Sequence, residues 1–172
     1  MTRQEITQFY GEHHRRLYNI AWRILRDSDE AEEVMQDTIL KFVSAERDFS
    51  SDAQVSAWLA RTCIRGAIDT LRKRQRRDAF LEDYALTEDS SSEALSTGTE
   101  DLSATLSGES LVLNRVKDAL DSLPDPYRLI LNLVLLEGLD YEEIAALTGR
   151  KETTLRSLYS RGRAKLAELL KK

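Results

Sequence analysis

Long stretches of apolar residues at helical spacing, with few turn signals between them, predict an all-α protein. From Ile6 to Leu25, the residues Leu17, Ile20, Ala21 and Ile24 form one stripe, preceded by Phe9 and Tyr10, and predict a first helix. Arg26-Asp27-Ser28-Asp29 reads as a turn rich in capping side chains. A second helix follows over about Glu30–Ala45, with Ala31, Val34, Met35, Thr38, Phe42 and Ala45 inward and Glu33, Gln36, Asp37 and Lys41 outward. That outer face is either solvated or a docking surface for a positively charged partner. A polar loop, Glu46–Val55, leads into a third helix reaching about Arg77, with Leu59, Cys63, Ile64, Ala67, Ile68 and Leu71 on its inner side.

The pattern resumes near Ser110. Val112, Leu113, Val116, Ala119, Leu120 and Leu123 make one stripe, and Leu123-Pro124-Asp125-Pro126 stops that helix, because proline disfavours helical geometry in the residue before it. Tyr127–Leu136 is apolar apart from Arg128 and Asn132, which predicts a buried central helix. Gly138–Lys165 then holds two short helical patterns around a turn. Asp140 and Glu143 have capping-box spacing, Ile144, Ala145 and Leu147 share one side, and Gly149 supplies a left-handed helix end. The second pattern, from about Glu152, carries Leu155, Leu158, Tyr159 and Leu166, with Arg156, Ser160 and Arg163 opposite and Thr153, Ser157 and Arg161 beside them. This is a helix-turn-helix whose outer face is basic and hydroxyl-bearing. Such a unit places its second helix in the DNA major groove, where arginine pairs with guanine edges or holds phosphates. The plainer reading is an αα-hairpin with a solvated face.

Charge sharpens this picture. The 172 residues carry a net charge of −5, which is wrong for a nucleic-acid binder if spread evenly. It is not: Asp78–Asn114 holds nine carboxylates and no lysine or arginine, so the remainder of the chain is +4. The segment 78–109, rich in serine, threonine and acid, lacks the apolar area to offset its chain entropy and is expected to be a flexible acidic linker. On the third helix, Arg65 lies about 40° and Arg72 about 20° from Arg61 at 100° per residue. Lys73, Arg74, Arg76 and Arg77 extend this basic stripe, and Trp58 and Phe49 stand near its start. Cations beside aromatic rings suit single-stranded DNA, whose phosphates pair with charge while bases stack. A core tryptophan next to a solvated basic helix is the alternative.

The remaining chemistry is sparse. Cys63 lies within a helical pattern and reads as a small buried hydrophobe in a protein of a reducing compartment. His13 and His14 are adjacent, so they diverge on a helix and make no i, i+4 metal pair. No glycine-rich phosphate loop or nucleophile–base pairing is visible, and an enzyme is the least expected class. No cofactor, catalytic residue or metal site is expected. The N-terminus lacks an apolar signal core and no apolar run spans a bilayer, so the expectation is a cytoplasmic protein without membrane insertion.

The motifs Asp27-x3-AEEVMQDTILKF, WLARTCIRGAIDTLRKR, LPDPYRLILNLVLLEGLDYEEIAALTG and TLRSLYSRGRAKL, in this order around an acidic linker, resemble the extracytoplasmic-function sigma factors of the sigma-70 family. These are small bacterial sigma subunits of RNA polymerase. The likeness covers roughly Thr2–Arg77 and Glu109–Leu170. It implies two small helical domains: residues 1–77, a region 2 bundle that recognises and melts the minus-ten element, and residues 110–172, a region 4 helix-turn-helix that binds the minus-thirty-five duplex. They would be joined by the linker 78–109, running through the polymerase and mimicking nucleic acid. By motif position, Glu33, Gln36 and Asp37 would dock on the β′ clamp helices of core RNA polymerase, and region 4 would also touch the β flap. Loop Glu46–Val55 would hold a flipped base, while Trp58, Arg61, Arg65, Arg72, Lys73 and Arg74 would guide the opened strand. Lys151, Thr153, Thr154, Arg156, Ser157, Ser160, Arg161 and Arg163 would face the minus-thirty-five promoter DNA.

The chain departs from the family pattern at Arg65, where asparagine is common, at Gly66, where a larger apolar residue is usual, and at Lys151, in place of a serine cap. An anti-sigma factor competing for the polymerase-binding surfaces is a further implied partner. Melting costs roughly 1.4 kcal/mol per base-pair step, which a small domain with few base contacts supplies only when anchored on a large partner, so free protein should bind promoters weakly. The competing reading is a helix-turn-helix transcriptional regulator acting without polymerase; a helical adaptor with merely solvated faces comes third.

Overall fold

The computed structural model describes the backbone of residues 1–85 and 108–172 and the side chains of residues 1–78 and 111–172. Most of the expected acidic linker therefore lies outside the described residues. Helix α1 spans Arg3–Leu25. Thr2 and Glu5 close a capping box at its start: Thr2 N–H donates to Glu5 Oε2 at 2.6 Å, and Glu5 N–H to Thr2 Oγ1 at 3.3 Å. Those bonds favour the ionised form of Glu5 and hold its pKa below the ordinary value. At the other end Arg26 takes a left-handed conformation (φ 55°) and returns its N–H to the Trp22 carbonyl, with its guanidinium 3.6 Å from the Trp22 ring centroid. Helix α2, Ser28–Ser44, is capped by Asp27, which accepts the Glu30 N–H at 2.9 Å. Helix α3 runs Asp52–Ala85, well past Arg77.

These three helices enclose Leu17, Ile20 and Ala21 from α1, Val34 and Met35 from α2, and Leu59, Cys63, Ile64 and Ala67 from α3. Gly66 permits the close approach of α2 and α3: a Cβ there would lie 3.2 Å from Val34 Cγ1.

The second half comprises α4 (Gly108–Asp121), α5 (Asp125–Leu131), a π-helical turn (Asn132–Leu136), α6 (Tyr141–Thr148) and α7 (Glu152–Lys171). Gly162, buried in the middle of α7, rests on α5; a Cβ would sit 3.3 Å from Leu131 Cδ1 and Tyr127 Cβ. Two expectations fail here. The stripe of α4 is buried only at Ala119, Leu120 and Leu123, whereas Val112 and Leu113 are exposed, because the first turns of α4 extend beyond anything that covers them among the described residues. The central apolar run is inverted in part: Arg128 and Asn132 are buried, and Leu135 and Leu136 are exposed.

The inversion has a cause. Arg128 and Asn132 stand four residues apart on one helical face and reach the end of α1. Arg128 donates to the Ile24 carbonyl at 3.4 Å and Asn132 to the Arg23 carbonyl at 3.3 Å. These bonds fill carbonyls that the end of α1 leaves without helical partners. The wider turn that follows, with Glu137 N–H on the Asn132 carbonyl, breaks the 100° step and turns the two leucines outward.

The two halves are thus docked. Beyond the α1 contacts, Arg23 pairs with Glu137 at 3.5 Å, Arg26 with Asp121 at 2.8 Å and Arg61 with Glu143 at 2.5 Å, while Arg72 donates to the Thr148 carbonyl. Buried apolar side chains of both halves belong to one cluster. No helix among the described residues is long and apolar enough to cross a membrane.

Candidate nucleic-acid interface

Two basic surfaces emerge, on different helices. The first follows α3. Its start is fixed by Ser51, whose hydroxyl accepts the Gln54 N–H at 3.3 Å, while Gln54 Oε1 accepts the Ser50 N–H at 3.0 Å. That geometry folds the preceding loop back onto the helix. The loop's Phe49 packs against Phe42 and Trp58, with ring centroids 5.4 and 6.1 Å away, and Phe42 stacks on Phe9 at 4.3 Å. Trp58 is half-buried in this aromatic cluster. One edge of it lines an open groove of about 640 Å³ with Arg47, Asp48, Phe49, Gln54, Arg61, Thr62 and Arg65. Trp58 is thus packed in the aromatic cluster and also lines the groove.

The cations of α3 divide by environment. Arg65 and Lys73 are exposed and have no hydrogen-bond or ion-pair partner among the described residues. Arg61 and Arg72 point the same way but are engaged by the second half, through Glu143 and the Thr148 carbonyl. Arg74 is half-buried; its two terminal nitrogens both reach the Leu25 carbonyl at 3.1 Å and it pairs with Glu30, so it ties the end of α1 and the start of α2 to the body of α3. Its position in the basic run hid that job. The signal that could have shown it was Glu30, in the first turn of α2.

The second surface is on α7. Asp140 and Glu143 close the predicted capping box of α6, with Glu143 N–H on Asp140 Oδ1 at 2.8 Å and Asp140 N–H on Glu143 Oε2 at 3.1 Å. Gly149 ends the helix in the left-handed conformation (φ 70°), and the chain re-enters a helix at Glu152. Leu155, Gly162 and Leu166 face inward, leaving Lys151, Thr153, Thr154, Arg156, Ser157, Ser160, Arg161 and Arg163 exposed together. Arg156 is steered by Glu152 at 3.4 Å and lies 5.5 Å from the Tyr141 ring centroid; Arg163 lies 6.0 Å from the Tyr159 ring. The two tyrosines meet edge to face at 6.1 Å and form a half-buried platform under both guanidinium groups. Lys151 makes no side-chain cap at the α7 start, as expected from the missing serine.

On α2, Glu33, Gln36 and Asp37 are exposed on one face, and Leu40, one turn further on, is 62% exposed. The remaining reactive groups are structural. Cys63 donates to the Leu17 carbonyl, and burial raises its thiol pKa to about 12. His13 packs on Phe9 at 4.5 Å, and His14 stacks on Tyr10. No cluster of three potential metal ligands occurs among the described residues.

Comparison with known proteins gives a consistent result for both halves. Residues 9–77 match Sigma-70 region 2 and residues 113–166 match Sigma-70, region 4. The ECF RNA polymerase sigma factor SigE of Mycolicibacterium smegmatis is 32% identical over 94% of this chain and 60% of its own length. The ECF RNA polymerase sigma factor SigM of Mycobacterium tuberculosis is 30% identical over 98% of this chain and 78% of its own. Among solved structures, the sigma factor RpoE of Bartonella quintana, co-crystallised with the anti-sigma factor NepR, aligns over 98% of both chains with a TM-score of 0.58 and 27% identity.

Proposed function

The chain belongs to the extracytoplasmic-function sigma factors of the sigma-70 family, which direct RNA polymerase to promoters, and from that premise we propose how its surfaces share the work. Helix α7 reads the minus-thirty-five element as duplex. The observation that carries this is the coherent exposed face from Lys151 to Arg163, with two arginines held on a tyrosine platform. Arg156 is the base reader of that face and Lys151, Arg161 and Arg163 are phosphate contacts.

Helix α3 and the loop before it take the minus-ten element as an opened strand. Arg65, Lys73, Arg61 and Arg72 supply the charge, and the groove floored by Phe49 and Trp58 accepts an unstacked base. Arg74 contributes by holding the three helices in register rather than by touching DNA. Glu33, Gln36 and Asp37 form the acidic docking face for the β′ clamp helices, with Leu40 as its apolar neighbour. The β flap is the second polymerase contact, through region 4. An anti-sigma factor is a partner of this chain too, a reading supported by the solved sigma factor in complex with one. A regulator working without polymerase has no use for a strand-binding stripe, and nothing favours it.

Run-off transcription with core polymerase on genomic fragments tests this reading. Promoter-dependent initiation is expected, and Arg156→Ala should lower discrimination between minus-thirty-five sequences by about 1–3 kcal/mol. An equal loss on every template would make Arg156 a phosphate contact and move base reading elsewhere.

A further inference from the structure

We propose that Glu152 is a second base reader of α7, accepting a hydrogen bond from a cytosine amine close to the guanine taken by Arg156. The inference rests on the reading of α7 as the minus-thirty-five helix. From Lys151 to Arg163 the chain carries four cations and one carboxylate, Glu152. At 100° per residue Glu152 lies about 40° from Arg156 and about 20° from Arg163, so it shares their exposed face. The helix dipole favours a carboxylate in a first turn, which accounts for the charge but not for where the side chain goes. Among the described residues its polar contact is with Arg156, whose Nη2 donates to Glu152 Oε2 at 3.4 Å, and 47% of the Glu152 side chain stays exposed. Arg156 also rests over the Tyr141 ring, 5.5 Å from its centroid. The pair therefore stands in a set order along the helix, carboxylate first and guanidinium one turn later, about 6 Å further along the axis.

A carboxylate in the major groove can only accept. The groove floor offers it two donors, the N4 amine of cytosine and the N6 amine of adenine. Adenine sets the N7 lone pair beside its amine, facing the carboxylate, whereas cytosine sets a C–H there. Cytosine is therefore the partner. The axial offset from Arg156 is close to two base-pair steps of about 3.4 Å, so the cytosine lies within two base pairs of the guanine. Anywhere else the same charge repels phosphates and carbonyl oxygens, and Glu152 penalises wrong sites as well as favouring the right one. A guanidinium has five N–H groups, so the contact with Glu152 leaves those that guanine O6 and N7 require.

The test is transcription by core polymerase carrying the full chain, from a promoter library randomised across the minus-thirty-five element, each template identified by a barcode in its transcript. The unaltered chain should prefer cytosine about tenfold at a position within two base pairs of the guanine whose preference Arg156→Ala removes. Glu152→Gln should erase that preference and favour adenine instead, because an amide bonds adenine N6 and N7 together, while the guanine preference persists. Glu152→Ala should erase it with no gain for adenine. A cytosine preference absent from the unaltered chain, or unchanged in both variants, overturns the proposal and leaves the reading of α7 intact. Loss of the guanine preference alone does the same, because Glu152 is then a positioning residue for Arg156. No base preference anywhere in the element, with Arg156→Ala without effect, overturns the reading of α7 and the proposal together.

Discussion

Lys151 occupies the N-cap of α7 with φ −68° and ψ 143°, already the extended geometry a cap requires, yet makes no side-chain bond to the first turn. Lys151→Ser should supply one, its hydroxyl accepting the N–H of Thr153 or Thr154. That bond is worth about 1 kcal/mol. Removing the lysine also relieves a cation at the positive end of the helix dipole, for a further 0.3–1 kcal/mol or so. The backbone needs no rearrangement, so the two contributions add to about 1–2 kcal/mol. For a chain of this size the thermal midpoint should rise by about 2–6 °C. Urea unfolding with an unchanged m-value checks the stability part, and Lys151→Ala, which keeps only the dipole contribution, separates the two. A midpoint that does not rise for the serine variant would mean that the first-turn donors of α7 are already satisfied, and the reasoning fails. On the proposed reading of Lys151 as a phosphate contact, the same substitution should weaken duplex binding and reduce its salt slope by about one while the helix is firmer.

Other consequences follow from the packing. Gly162→Leu should destabilise the second half by about 1–3 kcal/mol, since even a Cβ meets Leu131 and Tyr127 at 3.3 Å; urea unfolding measures it, and an unchanged midpoint would mean that α5 and α7 separate freely. Cys63, with its thiol raised to about 12 by burial, should resist disulfide reagents in the native chain and react at once in denaturant. Its linkage to stability has a definite sign. The unfolded thiol ionises near 9.0 and the folded one does not until about 12, so stability is full below pH 9 and declines above it. At pH 10 the loss is on the order of 1 kcal/mol, and the difference between the unaltered chain and Cys63→Ala should shrink by that amount between pH 7 and pH 10.

How much of this was legible beforehand depends on whether a residue's neighbours are local. The Asp140–Glu143 box, the Gly149 helix end and the uncapped Lys151 depend on backbone within a few residues and were readable from spacing alone. The Thr2–Glu5 box has the same spacing and places the start of α1 at Arg3 rather than Ile6. The inner faces of α1, α2 and α3 followed from periodicity, as did the exposed stripe of α7. Tyr127–Leu136 was expected to be buried throughout, and what it did not reveal is the job of its two polar residues, Arg128 and Asn132, both of which are buried. Their partners are backbone carbonyls of α1, more than a hundred residues away, for which a sequence carries no signal. The four-residue spacing of the two polar positions was the available hint of a shared polar contact. The division of the α3 cations was harder to read: Arg72 is exposed and reaches the Thr148 carbonyl, whereas Arg74 is half-buried, reaches the Leu25 carbonyl and pairs with Glu30.

The chemistry of the seam between the halves bears on how firmly they are held. Among the described residues, five arginines, Arg23, Arg26, Arg61, Arg72 and Arg128, make most of its polar contacts, with Asn132 beside them. In the Arg26–Asp121 pair, burial is the largest influence on both partners: it lowers the arginine pKa and raises that of the aspartate, against their mutual attraction. Both shifts say that desolvation outweighs pairing, and Arg128 nearby adds a like charge to Arg26. Arg26 Nη1 and Arg128 Nε are also buried without a well-aligned hydrogen bond. Because the Asp121 pKa is raised when the halves are docked, the docked form holds that proton more tightly. The contribution of Asp121 to closure is therefore greatest below the ordinary carboxylate range and fades as pH rises through the raised value. At neutral pH, parting the halves rehydrates these charges and recovers much of what their pairing supplied. The apolar cluster favours closure and the desolvated charges of the rim oppose it. A seam of packed leucines in place of the arginines would have no such offset, and the halves would be held by apolar burial alone.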